Sequence, residues 1–583
     1  MDQRVDKRGT ALKSSRGAGG QRRKGANNFS PLLPRSPAPL LFLVPVLFLL
    51  AFFFYPLAAI FAASFVNQST GATNLHGIEQ LIADPYYARV LGFTIFQAAI
   101  STLLTLLLAL PAAYVFARYK FRGKNFLRAL TTIPFLMPTV VVAAAFATLF
   151  GPRSWLNATL MSALHLDSPP LELLGTVWII FIAHVFYNYT VVLRIVGGFW
   201  QNLDPQYENA ARVLGANRWR AFREVTLPLL TPAILAAALL VFIFDFTSFG
   251  VVLILGGARL ATLEVEIYRQ TVNLFNLPLA ATLSLVQMLC TFALMLVYTR
   301  VQSRPLRLRA SQSVERVPKT RREKIFLSAI LGSMLILLVV PLLTLVAESF
   351  ATGDGIGLQN YLNLFQNPRG SITFVPPIDA VRNSLFFAMI TVALALVLGI
   401  CAAYSLVGQI GNLSYDALYM LPLGTSAVTL GFGFLIALDR PPLELRATVY
   451  LVPIAHALVA FPFVVRSLLP ILRGIKPQLK EAARVLGASP MRVWREIDLP
   501  IVARALMVGA VFAFVISLGE FSATALIALP EYPTIPIAIF RLLGQPGIAN
   551  YGQAIALSVI LMFVSAAAIF AMERVRVGEL GEF

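Results

Sequence analysis

The chain has 583 residues, 58% of them hydrophobic and only 13% charged, with a formal net charge of +19 and two cysteines. Soluble domains carry roughly a quarter charged residues, so water is excluded as the main solvent. The positive charge is segregated rather than spread, which argues against nucleic-acid binding, and Cys290 and Cys401 each lie in an apolar run that suggests neither a disulfide nor a metal site.

In chain order, residues 1–38 form a basic tail rich in Gly and Ser, with Arg22, Arg23 and Lys24 at its centre. Such a composition cannot bury a core, and the tail is expected to be disordered and cytoplasmic. A bilayer core about 30 Å thick needs roughly 20 apolar residues per helix. Six stretches of that kind follow, near 39–66, 87–116, 129–151, 174–199, 229–253 and 277–299. A basic linker, 300–324, leads to six more, near 325–348, 382–406, 414–437, 447–471, 502–528 and 551–572, before a short tail at 574–583. The fold class is therefore an all-α polytopic membrane protein with about twelve spans. With the amino-terminal tail inside, the loops at 117–128, 200–228 and 472–500 and the linker all fall inside as well. Short loops rich in Lys and Arg stay cytoplasmic, so both termini are expected there.

An internal repeat organises the chain. Leu203-Asp-Pro-Gln-Tyr-Glu-Asn-Ala-Ala-Arg-Val-Leu-Gly-Ala-Asn matches Ile475-Lys-Pro-Gln-Leu-Lys-Glu-Ala-Ala-Arg-Val-Leu-Gly-Ala-Ser at a shift of 272 positions. The same shift takes His184 to His456, Arg194 to Arg466, Leu227-Pro228 to Leu499-Pro500 and Thr262 to Thr534. Two homologous six-span units, 39–299 and 325–573, thus share one chain in the same orientation, a parallel repeat about the membrane normal.

The repeated loop reads as a short amphipathic helix, with Ala210, Ala211 and Leu214 on one face and Ala482, Ala483 and Leu486 in the second copy. Gly215 and Gly487 suit a helix end or a positive φ, and Pro228 and Pro500 suit the first turn of the next span. Both loops fit the pattern Glu-Ala-Ala, three residues, Gly, nine residues, Ile, one residue, Leu-Pro, and the second copy does so at every position, from Glu481 through Gly487 to Leu499-Pro500. The first copy departs at Asn209, where the pattern has Glu, and at Val225, where it has Ile; Glu208 lies one residue earlier. This loop resembles the coupling loop of binding-protein-dependent ABC importer permeases, and the fusion of two copies resembles the ferric-iron and thiamine permeases of that family.

The resemblance implies a type I permease fold and a role for Asn209, Ala210, Ala211, Gly215, Glu481, Ala482, Ala483 and Gly487 in docking two cytoplasmic ATPase subunits. It also implies an extracytoplasmic solute-binding protein as a partner. The permease would sit in a bacterial inner membrane and work by alternating access, with ferric iron ahead of thiamine as the solute. A phosphate-cradling Gly-x-x-x-x-Gly-Lys-Ser/Thr stretch is missing from the sequence, so the ATP would be hydrolysed by the partners, and the chain is expected to be neither an enzyme nor a holder of cofactor or metal. The rival reading is a secondary transporter, which also uses parallel repeats.

Charges within spans are costly and commonly face a cavity or a partner. Asp245 with Ser248, and Glu520 with Ser522, occupy equivalent regions of the fifth spans beside Phe and small polar residues. They are candidates for the translocation path; the plainer reading has each carboxylate capping a helix break or pairing internally. His184 and His456 match across the repeat, yet as two isolated histidines without neighbouring carboxylates they read as hydrogen-bonded core residues.

Overall fold

A computed structural model describes residues 38–66, 73–152, 154–257, 259–302, 315–352, 355–366, 375–407, 413–439, 441 and 443–576. Most of the basic tail, residues 303–314 of the linker and the end of the carboxy-terminal tail lie outside these residues. Eleven helices are long and apolar enough to cross a membrane, and a twelfth span is counted if one bent pair is taken together. The expected twelve therefore stand, and the chain is an all-α polytopic membrane protein.

Local chemistry sets where spans begin. Asp84 accepts from the Tyr86 N–H at 2.8 Å and Pro85 fills the first turn of Pro85–Arg118, where a missing N–H costs nothing. At the seventh span, Arg321–Ser349, Thr320 Oγ1 accepts from the Glu323 N–H while the Glu323 carboxylate accepts from the Thr320 N–H, so two orphan donors are satisfied reciprocally.

Three expectations about continuity are corrected. The third span, expected unbroken over 129–151, is two helices, Lys124–Leu136 and Thr139–Phe150, because Pro138 supplies no N–H and crowds the preceding turn. Its counterpart bends by 94° between Tyr415–Gly424 and Ala427–Ala437, beside Pro422, with Ser426 capping the second piece. The fifth spans, expected at 229–253 and 502–528, end at Phe246 and Gly519, and short helices Gly250–Leu255 and Thr524–Ile527 follow each break. These spans also begin earlier than Pro228 and Pro500 suggest. Helix runs from Arg218 and from Pro490 through a widened turn in which the Leu227 N–H reaches back five residues to the Phe222 carbonyl, and a widened turn relaxes the crowding that a proline imposes.

The two repeats embrace. The first span of each leans on the other's third span: Tyr55–Phe65 packs on Ala427–Ala437, and Arg321–Ser349 packs on Thr139–Phe150. The fit is close, since a Cβ on Gly433 would sit 3.0 Å from the Pro56 Cβ. Hydrogen bonds cross the same boundary, from Trp155 Nε1 to Thr344 Oγ1 at 3.0 Å and between Thr148 Oγ1 and Tyr551 Oη at 3.1 Å. The described end of the linker is strapped to the loop after the second span. There Lys124 pairs with Glu315 at 2.7 Å, the Lys120 N–H donates to the Arg316 carbonyl at 2.9 Å, and the Arg316 guanidinium lies 4.8 Å from the Tyr119 ring centroid.

Candidate functional site

Two kinds of site stand out, and both occur once per repeat. The first is the elbow before each fifth span. Its leading helices, Gln206–Val213 and Pro477–Val485, contain no buried residue. Each ends on a glycine with positive φ, 94° at Gly215 and 83° at Gly487, a conformation that a Cβ would penalise. The chain then turns into Arg218–Ala221 or Pro490–Val493, capped by Asn217 Oδ1 on the Arg220 N–H and by Ser489 Oγ on the Arg492 N–H. Arg220–Glu224 and Arg492–Glu496 pairs, each at 3.0 Å, brace these second arms from the outside. Anchorage comes from below, where Phe222 stacks on Trp200 at 6.1 Å in the first copy and Lys480 meets Asp498 at 2.8 Å in the second.

The tips are apolar and uncovered. Leu214 is 88% exposed and Leu486 86%, and Val213 and Val485 beside them are just as open. Asn209, Ala210, Glu481, Ala482 and Gly487 are exposed too, while Ala211 and Ala483 are half-buried against the arm that follows. Two matched apolar tips in solvent are what a protein leaves open for a partner rather than for water. The face expected from the sequence, Ala210, Ala211 and Leu214 with Ala482, Ala483 and Leu486, includes the leucines of these tips, and the structure adds Val213 and Val485 as equally exposed neighbours.

The second site is buried where each fifth span breaks. His184 Nδ1 lies 2.9 Å from Ser101 Oγ and 3.5 Å from Asp245 Oδ1, and its Nε2 lies 2.8 Å from Ser248 Oγ. Asn188 Nδ2 donates to Asp245 Oδ1 at 2.7 Å, and Gln97 Nε2 donates to the Asp245 carbonyl at 2.7 Å. In the second copy, His456 Nδ1 lies 2.8 Å from Ser517 Oγ, and its Nε2 lies 2.8 Å from Thr524 Oγ1 and 3.3 Å from Glu520 Oε2. Glu520 also accepts from the N–H groups of Ala523 and Thr524, at 2.8 and 3.0 Å, and from the Thr524 hydroxyl.

The expectation that the histidines lack carboxylates is thereby corrected, since each faces one from the fifth span. The signal was present but disguised. Shifted by 272, Asp245 falls on Ser517 and Ser248 on Glu520, so carboxylate and hydroxyl change places and residue identity hides the match. The four path candidates separate: Asp245 and Glu520 are buried in these networks, while Ser248 and Ser522 are half-buried. Glu520 acts as the cap of a helix break, and Asp245 as an internally paired group.

Residues 106–307 match the family model described as a binding-protein-dependent transport system inner membrane component. The chain is 28% identical to the thiamine transport system permease protein ThiP of Escherichia coli strain K12 over 79% of its own length and 84% of that protein. It is 27% identical to the protein of the same name from Salmonella typhimurium over 89% of its length and 93% of that protein. Against the probable ABC transporter permease protein y4fN of Sinorhizobium fredii the identity is 26%, with coverages of 84% and 88%. Among solved structures, one chain of a bacterial alginate ABC transporter in complex with an alginate pentasaccharide-bound periplasmic protein aligns at 18% identity and a TM-score of 0.39. That alignment covers 46% of this chain and 93% of the other.

Proposed function

We propose, from the premise that this chain is a multi-pass inner-membrane permease subunit of a binding-protein-dependent ABC importer, that it carries thiamine inward on power taken up at its two elbows. The observation that carries the reading is the pair of exposed Val-Leu tips at Val213-Leu214 and Val485-Leu486, equivalent under the repeat and each held by a positive-φ glycine. One ATPase subunit would seat on each tip, with Asn209, Ala210, Ala211 and Gly215 at one contact and Glu481, Ala482, Ala483 and Gly487 at the other. The basic loops and linker support a cytoplasmic position for the elbows and both termini. Units 39–299 and 325–573 are the two permease domains, and an extracytoplasmic binding protein delivers the solute.

Thiamine takes precedence over ferric iron because several of the relatives that match along most of the chain are ThiP proteins. When the ATPases close on ATP, the elbows move with them and one repeat rocks against the other. Reconstitution tests the reading: proteoliposomes holding the permease, its ATPase and its binding protein should take up thiamine only with ATP. Uptake by the permease alone without ATP would overturn it. Leu486→Asp, which leaves the membrane spans untouched, should lower ATPase copurification at least tenfold, since a charge buried in an apolar contact costs several kcal/mol.

A further inference from the structure

The breaks in the two fifth spans do more than end helices. The Phe249 and Phe521 rings, one from each break, stack on each other with centroids 5.5 Å apart and planes 25° from parallel. Both are fully buried, at 2% and 1% exposure. The shift of 272 that relates the repeats takes 249 to 521, so a residue is touching its own equivalent. In a two-fold arrangement that happens only at the axis. Behind each ring stands a second aromatic from the same repeat, Tyr268 at 5.4 Å from Phe249 and Phe540 at 5.3 Å from Phe521, and the same shift takes 268 to 540. Four rings, Tyr268, Phe249, Phe521 and Phe540, thus form a symmetric ladder across the boundary between repeats.

The surroundings are built for this approach. A Cβ on Gly250 would lie 2.6 Å from Thr139 Oγ1 and 3.1 Å from a Phe521 ring carbon, so only glycine lets the opposite ring come this near. The ladder is also far from the elbows. The 20-residue helix Leu227–Phe246 lies between elbow and break, and at 1.5 Å per residue it spans about 30 Å. The rings therefore close the axis toward the side away from the ATPase contacts.

We infer that Phe249 and Phe521, backed by Tyr268 and Phe540, are the seal of the translocation path and the surface on which a planar aromatic solute stacks as it passes. Their near-parallel faces need part only to about 7 Å to admit a flat ring, two contacts of roughly 3.5 Å. The stacking half of this inference rests on the thiamine reading, because thiamine carries two flat heteroaromatic rings and a hydrated metal ion carries none. The sealing half does not depend on it.

The test uses the full complex in proteoliposomes, with thiamine as the transported probe and trapped glucose as the leak probe. F249A/F521A should raise ATP-independent glucose leak at least tenfold, and a variant that assembles with the ATPase yet stays as tight as wild type overturns the seal. F249L/F521L keeps volume but removes the ring faces: leak should stay at the wild-type level while thiamine uptake falls about fivefold to tenfold. Unchanged uptake overturns the stacking role. Should the alanine variant fail to assemble, F249C/F521C in a C290S/C401S background provides the second measurement. A short bis-methanethiosulfonate, which forms a disulfide with each thiol and expels a sulfinate from each end, should bridge the pair and stop uptake until added dithiothreitol reduces the bridge, and uptake that survives bridging overturns the seal. A wild-type complex that moves no thiamine fails the solute assignment alone, since the glucose leak of F249A/F521A still judges the seal.

Discussion

The two buried histidines sit in equivalent places but with unequal support. Glu520 receives two backbone N–H groups, the Thr524 hydroxyl and His456, whereas Asp245 receives Asn188 on Oδ1 and leaves its buried Oδ2 without a hydrogen-bond donor. Neutralising a carboxylate costs most where donors converge on it, so Glu520→Gln should destabilise the protein by about 1–3 kcal/mol and Asp245→Asn by less than about 1 kcal/mol. Thermal unfolding of the detergent-solubilised protein checks the order, and a larger loss for Asp245→Asn would contradict it. The exchange of acid and hydroxyl also explains why this site was only half legible. Matching by residue type pairs His184 with His456 but sets Asp245 against Ser517. Only the three-dimensional arrangement shows that Asp245 faces His184 as Ser517 faces the equivalent His456.

Among the elements, the elbows were the most readable part of the chain, since their identities persist across the repeat where hydropathy alone would let them drift. Their glycines give a direct test. At Gly487, with φ at 83°, an alanine would sit in the left-handed region at a cost of about 1–2 kcal/mol. The cost falls on a tip where nothing lies within 4 Å of the added Cβ, so it reflects backbone conformation rather than collision. Gly487→Ala should therefore reduce ATP-driven uptake while expression and thermal stability of the membrane spans hold; unchanged uptake would show that the tip tolerates another path. The breaks in the third and fifth spans were not readable in the same way. Residues 129–151 and 229–253 are apolar on average despite Asp245 and scattered hydroxyls, and a hydropathy window passes over a break when the freed backbone groups find partners within the protein. Pro138 was visible as a residue, and the cap that Glu520 forms on Ala523 and Thr524 is local, but the His456 contact that completes it is brought by folding, which is tertiary information.

For the whole molecule, the count of spans, the parallel repeat and the segregated charge could all be read from the sequence. The trading of first spans between repeats could not, because lipid-facing and protein-facing apolar residues look alike along a chain. That exchange makes a prediction about connectivity. Two separate chains cut within 303–314 should assemble when made together, and neither half should behave as a discrete folded species when made alone. Coexpression with a tag on one half checks this, and a stable, monodisperse half would refute it. The exchange also limits how the protein can move. Each repeat holds a helix of the other as one wrestler holds another's forearm, so drawing the pair apart would strip packed contacts at both crossings at once. Swivelling about the shared grip remains, and a pivot of that kind lets a short stroke at one end become a cleft at the other.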